Sequence, residues 1–275
     1  ANTQTFRLLS WNIDMFTHFA EARMDAGLSY LSSLTSSFSP SDPVIIFLQE
    51  MTQPDMRQIR DAEWVQRRFY LTDLDGEKWL GDFYGTTALV DRRLQIQSVF
   101  RVPWYSRFER DGLFIDVVLS KDGAERQVLR LCNTHLESLV ADPPVRPVQL
   151  LDAAKVLGDH GVVAAVLAGD LNAIQPFDRT LHVDNGLQDA YLELGGKEDS
   201  DEGFTWGQQA PQELREKFGC SRMDKMLFRG ATNVRRFERI GAGIRVDERV
   251  WKDAGKTGDP EWVTDHYGIM GQFEI

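Results

Sequence analysis

Seven polar side chains, Asn12, Glu50, His135, Asp170, Asn172, Asp265 and His266, stand at or beside the ends of apolar runs. The clearest case is 162–172, Val-Val-Ala-Ala-Val-Leu-Ala-Gly-Asp-Leu-Asn. An uncharged run of this kind reads as a strand buried on both faces. Side chains two apart on a strand point the same way, so Asp170 and Asn172 can face one substrate. Burying a carboxylate without partners is costly, which favours a catalytic or metal-binding role for this strand end. The alternative is a polar turn that merely closes the strand.

Taken together, the seven fit metal-assisted phosphoester hydrolysis. Glu50, helped by Asn12 or Asp265 directly or through water, supplies the oxygen ligands that Mg²⁺ prefers. His135 and His266 can donate to non-bridging phosphate oxygens, where negative charge builds. Asp265, next to His266, has the elements of an orienting carboxylate. Asp170 can accept a proton from an attacking water, and Asn172 can position that water or the phosphate. Each residue alone has a plain reading as a turn residue, a solvated strand end or a hydrogen-bonded histidine. The same pattern at five strand ends favours chemistry.

The elements that must position these groups follow from hydropathy and punctuation. Strands are predicted at 6–12, 43–50, 86–91, 94–102, 113–119, 127–136 and 162–172, and again at 225–228, 234–240 and 267–275. Helical spacing is read at 21–34, 54–69, 147–157 and 187–194, with Pro54 and Pro147 in first turns. The stretch 199–219, which contains Phe204-Thr205-Trp206, reads as a long loop. Many strands with interspersed helices predict two sheets packed together with helices outside.

Composition narrows the partners. The 275 residues are 42% hydrophobic with a net charge of −11, which weighs against an extensive electrostatic grip on duplex DNA. It leaves room for a compact site holding one phosphodiester through a cation and local arginines. Cys132 and Cys220 match no metal-ligand spacing, and a reduced intracellular compartment is expected. No apolar stretch approaches the ~20 residues of a membrane span. Without coiled-coil heptads, a monomer is expected.

Ser10-Trp11-Asn12, Leu48-Gln49-Glu50, Asn133-Thr134-His135-Leu136, Gly169-Asp170-Leu171-Asn172 and Asp265-His266 resemble, in order and spacing, the motif set of the endonuclease/exonuclease/phosphatase superfamily. The resemblance spans nearly the whole chain. It implies an α/β fold, a four-layer α/β sandwich of two packed, mainly antiparallel β-sheets flanked by helices, in a single domain over 1–275. It also implies dependence on Mg²⁺, with Mn²⁺ as a substitute, and cleavage of phosphodiesters or phosphomonoesters.

Trp11-Asn12-Ile13-Asp14, Thr134-His135-Leu136-Glu137-Ser138, Phe204-Thr205-Trp206 and the run from Arg222-Met223-Asp224-Lys225 to Arg229 resemble the 5′-tyrosyl-DNA phosphodiesterase branch. Its members release a topoisomerase tyrosine from a DNA 5′ phosphate. That resemblance implies Ser138 beside His135 at the phosphate, and Trp206 and Met223 as an apolar wall beside the 5′-terminal nucleotide. Arg110 and Tyr84 are further expected substrate contacts. The implied partners are DNA 5′ ends carrying a covalent tyrosine or topoisomerase peptide, in DNA repair, at a nuclear and cytoplasmic location.

The chain departs from that branch at four places. Ala173-Ile174 replaces a hydrophobic-arginine pair, and Leu139-Val140 replaces Thr-Arg. Met223 stands where an aromatic residue is usual, and Thr264 where a serine precedes Asp-His. Arg107, Arg110, Arg146, Arg179 and Arg222 remain as candidates for contacts to a nucleic-acid backbone. The rival readings are another phosphoesterase of the superfamily, acting on abasic DNA, polyadenylate, inositol phosphates or sphingomyelin, and a catalytically inactive interaction module.

Overall fold

The computed structural model describes residues 5–119 and 127–275. In chain order its strands are β1 (Thr5–Asn12), β2 (Val44–Met51), β3 (Phe69–Leu71), β4 (Gly85–Asp91), β5 (Ile96–Pro103) and β6 (Asp111–Val118). There follow β7 (Val128–His135), β8 (Val162–Asp170), β9 (Gln188–Asp189), β10 (Asp224–Gly230), β11 (Asn233–Ile240) and β12 (Gly268–Glu274). One six-stranded sheet has the order β11-β12-β1-β2-β4-β3, and the other β5-β6-β7-β8-β10-β9. Neighbours are antiparallel except for β1 with β2 and β7 with β8.

Those two parallel pairs lie near the middle of their sheets. Parallel neighbours end on the same side, so Asn12 and the Glu50 turn come together in one sheet, and His135 and Asp170 in the other. Strand ends of this kind are where open α/β sheets bind ligands.

The apolar runs are unbroken because both faces of the central strands are covered. Phe6, Leu8, Ile45 and Phe47 of the first sheet pack against Ile115, Leu131, Val166 and Met226 of the second. On the far side of the first sheet, Leu9, Trp11, Ile46 and Leu48 pack under α1 (Ala20–Ser36), α2 (Gln53–Asp61) and α3 (Glu63–Arg68). Phe114, Cys132 and Leu167 do the same on the second sheet under α4 (Arg146–Leu157). At about 1.5–3 kcal/mol for each fully buried large apolar side chain, these three clusters are the principal cohesion of the fold. The result is a four-layer α/β sandwich.

One polar bridge crosses the central core. Gln49 Nε2 donates to Ser10 Oγ at 3.0 Å and to Asn133 Oδ1 at 2.7 Å. Asn133 Nδ2 in turn donates to the carbonyls of Leu48 and Thr87 at 3.2 and 2.8 Å. Both side chains are fully buried, so the bridge fixes the relative position of the sheets directly beneath the strand ends.

Three predicted elements differ. The helix read over 54–69 is broken at Ala62, whose extended backbone (φ −68°, ψ 113°) separates α2 from α3. The helix read over 187–194 is a two-residue strand, β9, followed by one turn, Ala190–Glu193, with Asp189 accepting from the Tyr191 amide at 3.0 Å. The 199–219 loop contains the helix Gln212–Phe218, which has no buried residue and so leaves no periodic apolar pattern in the sequence.

Candidate active site

Three strands of the second sheet set the floor of the site in register. His135 pairs with Asp170 across β7 and β8, and Asp170 pairs with Asp224 across β8 and β10. The close approach of β7 and β8 requires Gly169, where φ is +154° and an added Cβ would lie 1.7 Å from the Thr134 carbonyl oxygen. Asn12 reaches over from the first sheet, its Nδ2 donating to Asp170 Oδ2 at 2.9 Å and to Glu50 Oε1 at 3.3 Å. Glu50 sits at a register shift between β2 and β4, with φ +58°. The bulge turns its carboxylate out of the ladder, a strained backbone of the kind found at functional sites.

Asp170 is the hub. Its Oδ2 lies 3.3 Å from His135 Nε2 and 3.7 Å from His266 Nε2, and its Oδ1 accepts from the Asn172 amide at 2.8 Å. Burial alone pushes this carboxyl up, but His135, His266 and the Asn172 hydrogen bond outweigh it and hold it far below the usual carboxylate range. These partners favour the carboxylate form of Asp170.

The two histidines are held differently. Arg110 Nη1 lies 2.8 Å from His135 Nδ1, and because a guanidinium only donates, that nitrogen accepts and the ring proton sits on Nε2, toward Asp170. His266 Nδ1 lies 2.8 Å from Asp224 Oδ2. Burial lowers the pKa of His266, yet Asp224 and Asp170 outweigh it and raise it well above the ordinary value. His266 is an imidazolium between two carboxylates.

That pairing corrects the expectation for Asp265. Its Oδ1 is 3.8 Å from His266 Nε2, while its Oδ2 accepts from Trp206 Nε1 at 2.7 Å. The orienting carboxylate is Asp224, which the sequence presents only within the Arg222-Met223-Asp224-Lys225 run. Its signal there is an acid at the start of an apolar strand, akin to the acids at the other strand ends.

Asn172 also reaches the cleft differently from expectation. β8 ends at Asp170, and Asn172 adopts φ +48°, so strand alternation does not orient it. Its Nδ2 donates to the Leu136 carbonyl at 3.1 Å.

These groups open on a cleft of about 750 Å³ whose lining includes Glu50, His135, Asp170, Asn172, Asp265 and His266. Ser138, Trp206 and Met223 line it as well. Arg110 and Tyr84 do not. Arg110 is buried, donating to Ser138 Oγ at 2.9 Å as well as to His135, with the Tyr84 ring centroid 5.1 Å from its guanidinium. The pair braces His135 and Ser138 from behind the cleft.

Of the other arginines, Arg146 is buried against Asp178 at 2.7 Å, and Arg222 against Asp189 at 2.8 Å and Glu198. Neither presents its charge as a free backbone contact. Arg107 and Arg179 are exposed and paired with Glu137 and Asp199. A wider depression of about 1120 Å³ between α1 and α2 holds no histidine and lies away from this chemistry.

A hard divalent cation suits the donors at the cleft's acidic side. Burial pushes Asp265 up to about 6 against the opposing pull of His266, and Asp14 and Glu50 add to the rise, so carboxylates crowd one another here. Glu50 and Asp265 are the residues that would hold the ion. Asn12 is placed otherwise: its Oδ1 accepts from the Asp14 amide at 2.9 Å and its Nδ2 joins Glu50 to Asp170. It serves as a bridge between carboxylates. Asp170, Asp224 and His266 also lie within ligating distance of one another, but His266 Nδ1 and Asp224 Oδ2 are already bonded to each other.

Buried Asp170 facing two imidazoles at the strand ends of two packed sheets suits hydrolysis of phosphate esters. The chain belongs to the Endonuclease/Exonuclease/phosphatase family, whose profile matches residues 9–266. No curated protein sequence matches it. Among solved structures, it is similar to a humanised D. rerio TDP2, at 19% identity and a TM-score of 0.74 over 98% of both chains. It is also similar to D. rerio TDP2 complexed with a single-strand DNA product, at 18% identity and a TM-score of 0.71 over 98% of both chains. The human Nocturnin catalytic domain shares the fold at 14% identity and a TM-score of 0.65, over 98% of this chain and 94% of that one.

Proposed function

We propose that the chain is a Mg²⁺-dependent phosphodiesterase that hydrolyses the 5′-phosphotyrosyl bond between a tyrosine and a nucleotide. The observation that carries this reading is Asp170, a buried carboxylate kept ionised by its neighbours and set on the floor of an open cleft. The motif resemblance and the likeness to TDP2 structures support the tyrosyl substrate.

Asp170 takes a proton from the attacking water as the water oxygen bonds to phosphorus. The bond from phosphorus to the tyrosyl oxygen breaks, and the phenolate leaves with its electron pair. A phenol has a pKa of about 10, so it departs with little help and takes its proton from solvent. His266, charged through Asp224, donates to a non-bridging oxygen as charge accumulates there. His135 donates from Nε2, braced by Arg110. When bound, the cation supplies Lewis-acid neutralisation of the phosphate.

Release of p-nitrophenol from thymidine 5′-p-nitrophenyl phosphate, with and without Mg²⁺, tests the reaction. A panel of 5′-phosphotyrosyl, abasic and polyadenylate oligonucleotides tests the substrate. Preferential abasic incision or deadenylation overturns the tyrosyl assignment, and absence of turnover on every substrate overturns the reaction.

A further inference from the structure

The side of the cleft formed by the segments after Glu137 and after Asn172 carries Leu139, Val140 and Ile174, which are 63%, 62% and 39% exposed. Phe16, on the loop after β1, adds an 80%-exposed ring to the same cleft. Apolar side chains grouped at a functional opening mark a contact surface.

The charges tell the same story. Among the described lining residues the only arginines are Arg179 and Arg222, and both are engaged by carboxylates, Arg179 by Asp199 at 2.8 Å and Arg222 by Asp189 and Glu198. The remaining fixed charges along the walls, such as Asp14, Glu198 and Asp199, are negative. A strand of phosphates gains affinity by displacing counterions onto basic side chains. This cleft offers it apolar carbon and carboxylates instead.

We propose that the cleft is built for a phosphodiester with a single anionic centre and an apolar substituent seated on Leu139, Val140, Ile174 and Phe16, and that it makes no favourable contact with nucleic-acid phosphates beyond the first nucleotide. This deepens the phosphodiesterase reading and rests on it for the position of the scissile phosphate.

Two measurements test it. Affinities of fluorescein-labelled 5′-phosphorylated thymidine and its di-, penta- and decanucleotide homologues are read by anisotropy, which requires no turnover. The expected affinities agree within about threefold across the series, with a log–log salt slope shallower than about −0.7, the value for one single-strand phosphate contact. Affinity rising tenfold or more with length, with a steeper slope, overturns the claim about the strand.

The double variant Val140→Arg/Ile174→Arg should gain about tenfold for the decanucleotide relative to the mononucleotide and steepen the slope by about 1.4, for two added phosphate contacts. No gain overturns the assignment of this wall as the missing grip. In the second measurement, phenyl phosphate and octyl phosphate compete with labelled 5′-phosphothymidine. Both should compete at least tenfold better than inorganic phosphate, and Leu139→Ser/Val140→Ser should remove most of that advantage. Equal competition by all three overturns the apolar seat, whereas the order of phenyl and octyl separates an aryl from an alkyl substituent. A protein that binds as described but releases no p-nitrophenol refutes the reaction and leaves the ligand preference standing.

Discussion

Replacing Asp224 by asparagine isolates the charge behind His266 without changing shape. Asp224 is fully buried, and its Oδ2 lies 2.8 Å from His266 Nδ1. A hydrogen bond to a charged group contributes about 1.5–3 kcal/mol, and one pKa unit corresponds to about 1.4 kcal/mol, so losing the ionic partner should lower the pKa of His266 by about one to two units. The carboxamide introduced by Asp224→Asn can still accept from Nδ1, and Asp170 remains 3.7 Å from Nε2, so the ring should keep its place.

The native pKa of His266 is raised, so its stabilising charge is fully present below the unfolded value of about 6.5 and is lost as pH rises through the higher folded value. The same proton serves catalysis. The basic limb of the pH–rate profile on thymidine 5′-p-nitrophenyl phosphate should therefore move down by about one to two units. Removing one partner of a buried ion pair is destabilising, here by about the 1.5–3 kcal/mol of the lost charged hydrogen bond, so Tm should fall together with the pKa. Ring-nitrogen NMR of His266 should report the same displacement. A basic limb that stays in place in a folded Asp224→Asn protein would falsify the imidazolium assignment.

Other substitutions separate the remaining roles. Asp170→Asn should retain the fold and lose at least about a hundredfold in kcat, and near-native turnover removes it as the base. Glu50→Ala should lose both most of the activity and its response to Mg²⁺; normal hydrolysis in saturating Mg²⁺ contradicts its place at the cation. Gly169→Ala drives a methyl into the Thr134 carbonyl and should destabilise the chain by about 3 kcal/mol, read by denaturant melts. Asp265 loses its proton only above about pH 6, so the rise in Tm on adding Mg²⁺ should be large above that pH and fade below it. A metal-induced shift independent of pH would show that Asp265 takes no part.

Most of the architecture was legible because central strands covered on both faces leave an unbroken apolar signature in one dimension. The 162–172 run shows it: Ala164, Val166 and Ala168 face the inter-sheet core, while Ala165 and Leu167 face α4. The helix Gln212–Phe218 was illegible for the converse reason, since none of its residues is buried.

At the site, the sequence by itself determined which polar residues lie at the strand ends, since each borders an apolar run. Partnerships were decided only by the tertiary structure. Asp224 meets His266 from 42 positions away through the register of β7, β8 and β10 and the packing of the two sheets, while the adjacent Asp265 turns to Trp206. Arg222, a candidate in the sequence for contacts to a nucleic-acid backbone, is a buried partner of Asp189. Charge and hydropathy name the residue types, but which of them neutralise one another depends on distances between segments remote in the chain, and those distances exist only once the sheets have packed.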